Sequence, residues 1–410
     1  MSQAVYILGG YQTDFAKVWS RHGQDIADIV RETTLGTLQA CDLDASAIQS
    51  IHVGNAFAEL QRQQAHLGAM VAQVVPELWG VPAMRHEGAC ASSSLAALAA
   101  MAEIEAGRYD CVLVLGVEEF KNTSGHEASK NQNAAAWQGR EDIDCTFMWP
   151  AAFGRVAQEY EERYGLDRRY LNRIAEINYA NARLNPLAQT RSWQFGPDSF
   201  TDNDETNPLI EPGTRRQDCG QVTDGGAGVV LVSARFAEEH ARRQGKTLAQ
   251  VARIAGWGHR TAGIRLLDKL ERSRGQAYMF PHLRQTIEDT WRRAGISGIE
   301  AIDGVETHDC FTTTEYVALD HLGLSAPGQS WQAVEQGTIA PGGRCPVNMS
   351  GGLIGCGHPV GATGARMLLD ASRQVTGQAG PMQIEGARRV QTLNIGGSLA
   401  TVASFVVEAG

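Results

Sequence analysis

The sequence has no run of about 20 uninterrupted apolar residues, the length that a membrane helix requires. It also has no Cys-x-x-Cys pair and no short cysteine framework. Its eight cysteines (Cys41, Cys90, Cys111, Cys145, Cys219, Cys310, Cys345 and Cys356) are scattered over 410 residues. That spacing argues against structural zinc and against a disulfide scaffold. It leaves free thiols, mostly core filler with one or two reactive. There is no excess of positive charge: the net charge of −10 excludes nucleic-acid binding through a whole-protein basic field. A small anionic substrate, which needs only a local set of donors, is not excluded. The opening Met-Ser-Gln-Ala-Val-Tyr-Ile-Leu-Gly-Gly lacks the charged region and long apolar stretch of a signal peptide, and the closing Val-Val-Glu-Ala-Gly carries no recognisable address. The expected location is the cytoplasm. What is present is ordinary globular composition, with 43% hydrophobic and 20% charged residues, enough to bury a large core in two or three domains or one large domain pair.

Strand-like and helix-like runs alternate, which predicts an α/β fold. Strands are expected at 5–8, 111–117, 228–232, 251–256, 390–395 and 401–407. A small-residue helix at 91–107 leads into the strand at 111–117, and a helix at 364–375 leads through a Gly-rich connection into the strand at 390–395. Each half then ends in another apolar strand. This repeat predicts a duplicated α/β unit, with an N-terminal half over 1–250 and a C-terminal half over 251–410. Between them, residues 121–213 read as an inserted loop region. Residues 121–140 are rich in Asn, Gln, Ser, Gly and Ala; 153–185 show helical spacing; and 186–213 are polar and punctuated by Pro186, Pro197, Pro208 and Pro212. Insertions of this kind commonly build substrate sites on a rigid scaffold.

Four segments carry candidate chemistry. In His86-Glu87-Gly88-Ala89-Cys90-Ala91-Ser92, Cys90 opens an Ala-rich helix, where free N–H groups and partial positive charge favour a thiolate. The competing reading is a small apolar residue in a buried helix. In Gly351-Gly352-Leu353-Ile354-Gly355-Cys356-Gly357-His358-Pro359, the glycines permit close backbone approach and His358 can act as base to a thiol. A phosphate cradle or a packed turn would look the same. In Val305-Glu306-Thr307-His308-Asp309-Cys310-Phe311, three titratable groups stand in a row at a strand end. In Thr392-Leu393-Asn394-Ile395-Gly396-Gly397-Ser398, a Gly pair follows a strand and can offer an N–H to an oxyanion, or simply make a turn.

Taken together and in this order, the segments resemble the thiolases, from Tyr6 to Val407. The nucleophile motif Cys-x-Ser is matched by Cys90-Ala91-Ser92, and Gly-His-Pro by Gly357-His358-Pro359 followed by Val-Gly-Ala-Thr-Gly. The segment 218–227 looks like the thiolase stretch before a core strand. Where many thiolases carry Asn-Glu-Ala-Phe, this chain has His308-Asp309-Cys310-Phe311, the pattern of the sterol-carrier-protein type. Where many carry a second reactive cysteine in Cys-x-Gly, it has Asn394-Ile395-Gly396.

The resemblance implies a layered α-β-α-β-α core and an acyltransferase acting on acyl-CoA or 3-ketoacyl-CoA. It implies Cys90 as nucleophile, His358 as its base, and His308, through a water, with His358 as one oxyanion site. Cys310 would be the second catalytic thiol, with Cys356 as its rival. The backbone N–H groups of Cys90 and Gly396 would form the other oxyanion site. CoA is then a co-substrate, with Arg215 and Arg216 as candidate partners for its phosphates, and no cofactor or metal is required. It further implies a homodimer or homotetramer and, by analogy with some relatives, a small OB-fold-type partner. The alternatives are acyl transfer to a non-CoA acceptor, a partner-dependent retro-aldolase, and a non-catalytic scaffold. Retro-aldolases of this kind tend to lack the nucleophilic cysteine.

Overall fold

The apolar run after Cys111 forms a strand buried along its full length, as a strand covered by helices on both faces must be. The computed structural model describes residues 4–141 and 143–410. Its strands are β1 (Val5–Gln12), β2 (Ser50–Gly54), β3 (Ala83–His86), β4 (Cys111–Glu118), β5 (Leu209–Glu211), β6 (Thr214–Arg215), β7 (Gly225–Ser233), β8 (Ala252–Thr261), β9 (Gly304–Thr307), β10 (Arg389–Gly396) and β11 (Thr401–Ala409). Nine of them join in the order β3-β2-β4-β7-β1-β8-β11-β10-β9, while β5 and β6 pair separately.

The expected duplication is written in this order. In the first half β1 is antiparallel to β7, β7 antiparallel to β4, β4 parallel to β2 and β2 parallel to β3. In the second half β8 is antiparallel to β11, β11 antiparallel to β10 and β10 parallel to β9. A single parallel bridge from Val305 to Val347 stands where the outer strand would be. The halves meet where Val5, Tyr6 and Ile7 pair with Ile254, Arg253 and Ala252.

Five layers result. Helices Ile26–Ala40, Leu67–Val74 and Ala234–Arg243 cover the outer face of the first half. Helices Pro281–Ala294 and Thr312–His321 cover the outer face of the second. Between the halves lie Ser92–Glu105 and Thr363–Val375, packed against Val112, Val114 and Leu231 on one side and Ala403, Phe405 and Val407 on the other. These two central helices touch because one contact position is glycine. A Cβ on Gly364 would lie 2.5 Å from the Ser94 nitrogen and closer still to the Ser94 hydroxyl.

The inserted region is more helical than its composition predicts. Residues 121–140, read as loop, contain the helix Gly125–Gln132, whose N-cap Ser124 accepts from the Glu127 N–H. The helical stretch expected over 153–185 is two helices, Met148–Tyr164 and Arg169–Ala182, the first ending at Gly165 with φ +80°. Among the described residues, no helix is long and apolar enough to cross a membrane.

Candidate active site

Cys90 sits in the 3-10 turn Ala89–Ala91, which runs straight into the helix Ser92–Glu105. The turn is tight. Ala89 adopts φ +49°, a left-handed conformation that costs a non-glycine residue energy and that surrounding bonds must hold. The Ala89 N–H donates to Glu87 Oε1 (2.6 Å), and the Ser92 hydroxyl donates to the Ala89 carbonyl (2.6 Å). His358 enters from the second half. Its N–H donates to Thr223 Oγ1 (2.9 Å), and its Nδ1 lies 2.7 Å from Thr363 Oγ1. Its Nε2 is buried without a hydrogen-bond partner among the described residues. His308 follows β9, and its ring meets that of His358 edge-on at 5.3 Å. The Cys90 sulfur and one ring nitrogen each of His308 and His358 all lie within 4.8 Å of one another.

Cys310 lies with Cys90 and His358 on the wall of one pocket, its Sγ 3.6 Å from Thr314 Oγ1, and His308 is buried behind that wall. Its rival Cys356 does not reach the pocket. It is buried with Phe15, Ala182 and Ala188, and its sulfur faces Gln12 Nε2 and Asn185 Nδ2. The row His308-Asp309-Cys310 therefore divides. Asp309 turns away and ties the segment to the glycine-rich loop, accepting from the Leu353 N–H (2.6 Å), the Ile354 N–H (3.3 Å) and Asn178 Nδ2 (2.9 Å).

The loop after β10 closes the site. Gly396 is the last residue of that strand and packs against the Gly88 carbonyl. The backbone N–H that acts most on the Cys90 thiol is that of the next residue, Gly397. Glu118, at the end of β4, binds the two halves together at this level. It accepts from the N–H groups of Ala56 (2.9 Å), Phe57 (3.1 Å) and Gly361 (3.1 Å) and from Asn55 Nδ2 (2.9 Å).

Burial dominates the electrostatics. A cysteine at a helix N-terminus is expected to ionise readily. Here burial pushes the Cys90 thiol up to about 12, with the Gly397 N–H and its own N–H only partly offsetting this and Glu118 adding to it. Burial likewise pushes the Cys310 thiol well up, with Cys90 nearby adding to it. Burial pulls His358 down to about 3, helped by the Arg366 charge. It holds His308 far below its ordinary value, helped by His358 and Arg366. Burial therefore favours the neutral thiol and the neutral imidazoles over an ion pair.

The pocket above Cys90, about 510 Å³ with its open mouth, is walled by Phe57, Trp149, Phe153 and Phe311. Phe153 and Phe311 stack at 4.8 Å. A second cavity shares Trp149, Gln132, Gly220 and Phe311 with it and leads out to Arg216, which is exposed. Arg215, in contrast, is buried and bonded to Asp204 (2.6 Å) and the Asn207 carbonyl (2.7 Å).

Two family models divide the chain. "Thiolase, N-terminal domain" matches residues 5–195, and "Thiolase C-terminal domain-like" matches 267–409. Acetyl-CoA acetyltransferase of Methanothermobacter thermautotrophicus is 30% identical over 98% of this chain and 98% of its own. The chain belongs to the thiolase family. It is an enzyme, an acyltransferase of the thiolase type, in whose chemistry CoA is a substrate and no resident cofactor takes part. Sterol carrier protein 2 of Gallus gallus is 26% identical over 97% of this thiolase and 70% of its own chain. Among solved structures, human mitochondrial 3-ketoacyl-CoA thiolase in complex with CoA aligns with TM-score 0.71 at 14% identity, covering 100% of this chain and 98% of that one. The Ltp2-ChsH2(DUF35) aldolase aligns with TM-score 0.77 at 19% identity, covering 99% and 98%.

Sequence reasoning brought Cys90, His308, Cys310 and His358 forward, and the fold gathers them. Thr223 and Thr363, which orient His358, lie inside the matched segments without a role being legible there, and the Glu118 tether and, Phe311 apart, the aromatic wall lie outside them. Thr363 had a local signal, since it lies five residues after His358 on the first turn of the following helix. Glu118 and Phe57 had none, because only the fold brings them to the site.

Proposed function

We propose that this thiolase cleaves 3-ketoacyl-CoA by thiolysis, or runs the reverse Claisen condensation, through an acyl-enzyme on Cys90. The observation that carries the reading is the convergence of Cys90, His308 and His358 within 4.8 Å, with Cys310 on the same pocket wall. The Thr363 hydroxyl lies 3.3 Å from the Pro359 carbonyl as a donor. Its oxygen therefore accepts from His358 Nδ1–H, and this leaves Nε2 with a free lone pair. That nitrogen takes the Cys90 proton as the sulfur attacks the keto carbon. The transfer accompanies attack, since burial favours the neutral form of both groups.

The carbon–carbon bond then breaks. The enolate oxygen of the departing acetyl-CoA accepts from His358 and, through a water, from His308, and Cys310 gives its proton to the enolate carbon. The thiol of a second CoA gives its proton to the Cys310 thiolate and attacks the acyl-Cys90 carbonyl, whose oxygen accepts from the N–H of Cys90 and from the turn at Gly396 and Gly397; the acyl–Cys90 bond then breaks, and the leaving sulfur takes back the proton held by His358. Losing one such donor costs about 10²–10³ in rate. Arg216, exposed at the outer cavity, is the candidate for a CoA phosphate, whereas Arg215 is already engaged.

The same reading includes the division into halves at about residue 250, a homo-oligomer in the cytoplasm and, by analogy with the DUF35 subunit named in the aldolase structure, a small OB-fold-type partner. Cys90 favours acyl transfer over the retro-aldol alternative.

The test is intact-protein mass spectrometry after incubation with acetyl-CoA and with acetoacetyl-CoA. An acetyl adduct is expected, and it disappears in Cys90→Ala. In Cys310→Ala the adduct persists while turnover is lost. An adduct that survives Cys90→Ala would sink the assignment of the nucleophile.

A further inference from the structure

Position 394 is where the sequence shows only a missing cysteine. The structure fills it with a side chain bonded on both sides. The Ser94 hydroxyl, on one central helix, donates to Asn394 Oδ1 (2.7 Å). Asn394 Nδ2 lies 3.2 Å from His308 Nδ1. Both contacts are buried, and Asn394 is 1% exposed.

The orientation of the amide decides what His308 can do. A neutral imidazole has one N–H and one bare nitrogen, and the partner at one nitrogen fixes the state of the other. A Cβ built on Gly364 would lie 2.9 Å from Asn394 Oδ1, so the Gly364 Cα–H on that side faces this oxygen. A Cα–H fits against a carbonyl oxygen and crowds an NH₂ group. The Ser94 hydroxyl supplies a second donor to the same atom. With Oδ1 fixed toward Ser94 and Gly364, the NH₂ group points at His308 Nδ1, which must accept.

We propose that Asn394 is a positioning residue that sets the tautomer of His308, keeping Nδ1 bare and Nε2 protonated as a donor toward the enolate oxygen, through the water between them. The inference rests on the reading of His308 as an oxyanion donor. It gives the departure from Cys-x-Gly a function. With proton transfer assigned to Cys310, position 394 is released from acid/base work and supplies the hydrogen bond that makes a histidine at 308 a donor instead of an acceptor.

The experiment compares two reactions of Asn394→Asp with those of the wild type. One is thiolysis of acetoacetyl-CoA, which passes through the enolate. The other is exchange of labelled CoA into acetyl-CoA, which needs Cys90, His358 and the backbone donors beside Cys90 but passes through no enolate. The introduced carboxylate accepts from Nδ1–H, drawing the proton from Nε2. Thiolysis is expected to fall about 10²–10³-fold, with exchange held within a few-fold. Lowering the pH is expected to restore part of the thiolysis, as the ring gains its second proton. Equal losses in both reactions, or no loss in either, would overturn the proposal.

His308→Ala separates the two layers of the argument. If it thiolyses normally, the donor reading of His308 fails. If it is impaired while Asn394→Asp is not, only the role of Asn394 fails. Should Asn394→Asp not fold, ¹⁵N NMR of the histidine-labelled wild type decides, with the His308 signal assigned by its loss in His308→Gln. A proton on Nε2 is expected, and a proton on Nδ1 refutes the proposal.

Discussion

Alkylation of Cys90 as a function of pH tests the electrostatics of the free site. At pH 7 an ordinary thiol titrating near 9 is about one per cent thiolate. With Cys90 pushed up to about 12 by burial, the thiolate fraction at pH 7 is lower by about a thousandfold. His358, pulled down to about 3, cannot hold the proton as an imidazolium in the free enzyme. The rate of iodoacetamide reaction at Cys90, followed by peptide mass spectrometry, is therefore expected to rise about tenfold per pH unit from pH 6 to pH 9. It should show no plateau at the low end. Selectivity between thiols then comes from access. Cys41, Cys111, Cys219, Cys345 and Cys356 are buried, whereas Cys90, Cys310 and Cys145 are partly exposed. Cys145 is the internal standard, being partly exposed but outside the Cys90 pocket. A pH-independent rate between 5 and 7 would mean a thiolate–imidazolium pair at rest. It would refute the argument that burial outweighs the helix terminus.

Three further predictions concern the supports of the site. Gly364→Ala forces a methyl group against the Ser94 backbone; overpacking of this kind typically costs about 1–3 kcal/mol, visible as a lower urea midpoint with an unchanged slope. Lys269 is buried, and its Nζ donates to the carbonyls of Gly263 (2.7 Å) and Ile264 (2.9 Å) and to Ser398 Oγ (3.2 Å), next to the Gly397 N–H at Cys90. Lys269→Met is expected to lower kcat for CoA exchange more than it raises KM, and an unchanged kcat would detach this lysine from the turn. Burial pulls the Lys269 ammonium down to about 8, so the wild type should lose exchange activity as pH rises through that value, a limb that Lys269→Met should lack. Arg216→Ala should raise KM for CoA thioesters several-fold with kcat unchanged, and a loss confined to kcat would exclude a phosphate contact.

How much of this was legible in the sequence depended on the range of the interaction involved. The strands at 111–117, 390–395 and 401–407 were readable because unbroken apolar runs are local signals, and each forms within two residues of the expected bounds. The helix Gly125–Gln132 was not, because its one buried residue, Ala128, leaves no apolar stripe and only the Ser124 cap marks its start. The candidate catalytic side chains were readable as motifs. Their protonation states were not, because a helix terminus is visible in sequence while the burial that overrides it is not.

Position 394 shows the limit most clearly. Read along the chain, Asn394 registers as the loss of a thiol, since motifs compare residues with what usually stands there. In the fold it is a donor to His308, anchored by Ser94, a residue 300 positions away in the chain. The two changes at 308 and 394 are then one change. A histidine in the 308 position is useful as an oxyanion donor only when Nδ1 is an acceptor, and a cysteine at 394, a weak donor, would leave the tautomer loosely set. The double variant His308→Asn with Asn394→Cys should therefore recover more thiolysis than the two single variants predict by adding their losses. Strict additivity would show that the two sites act independently.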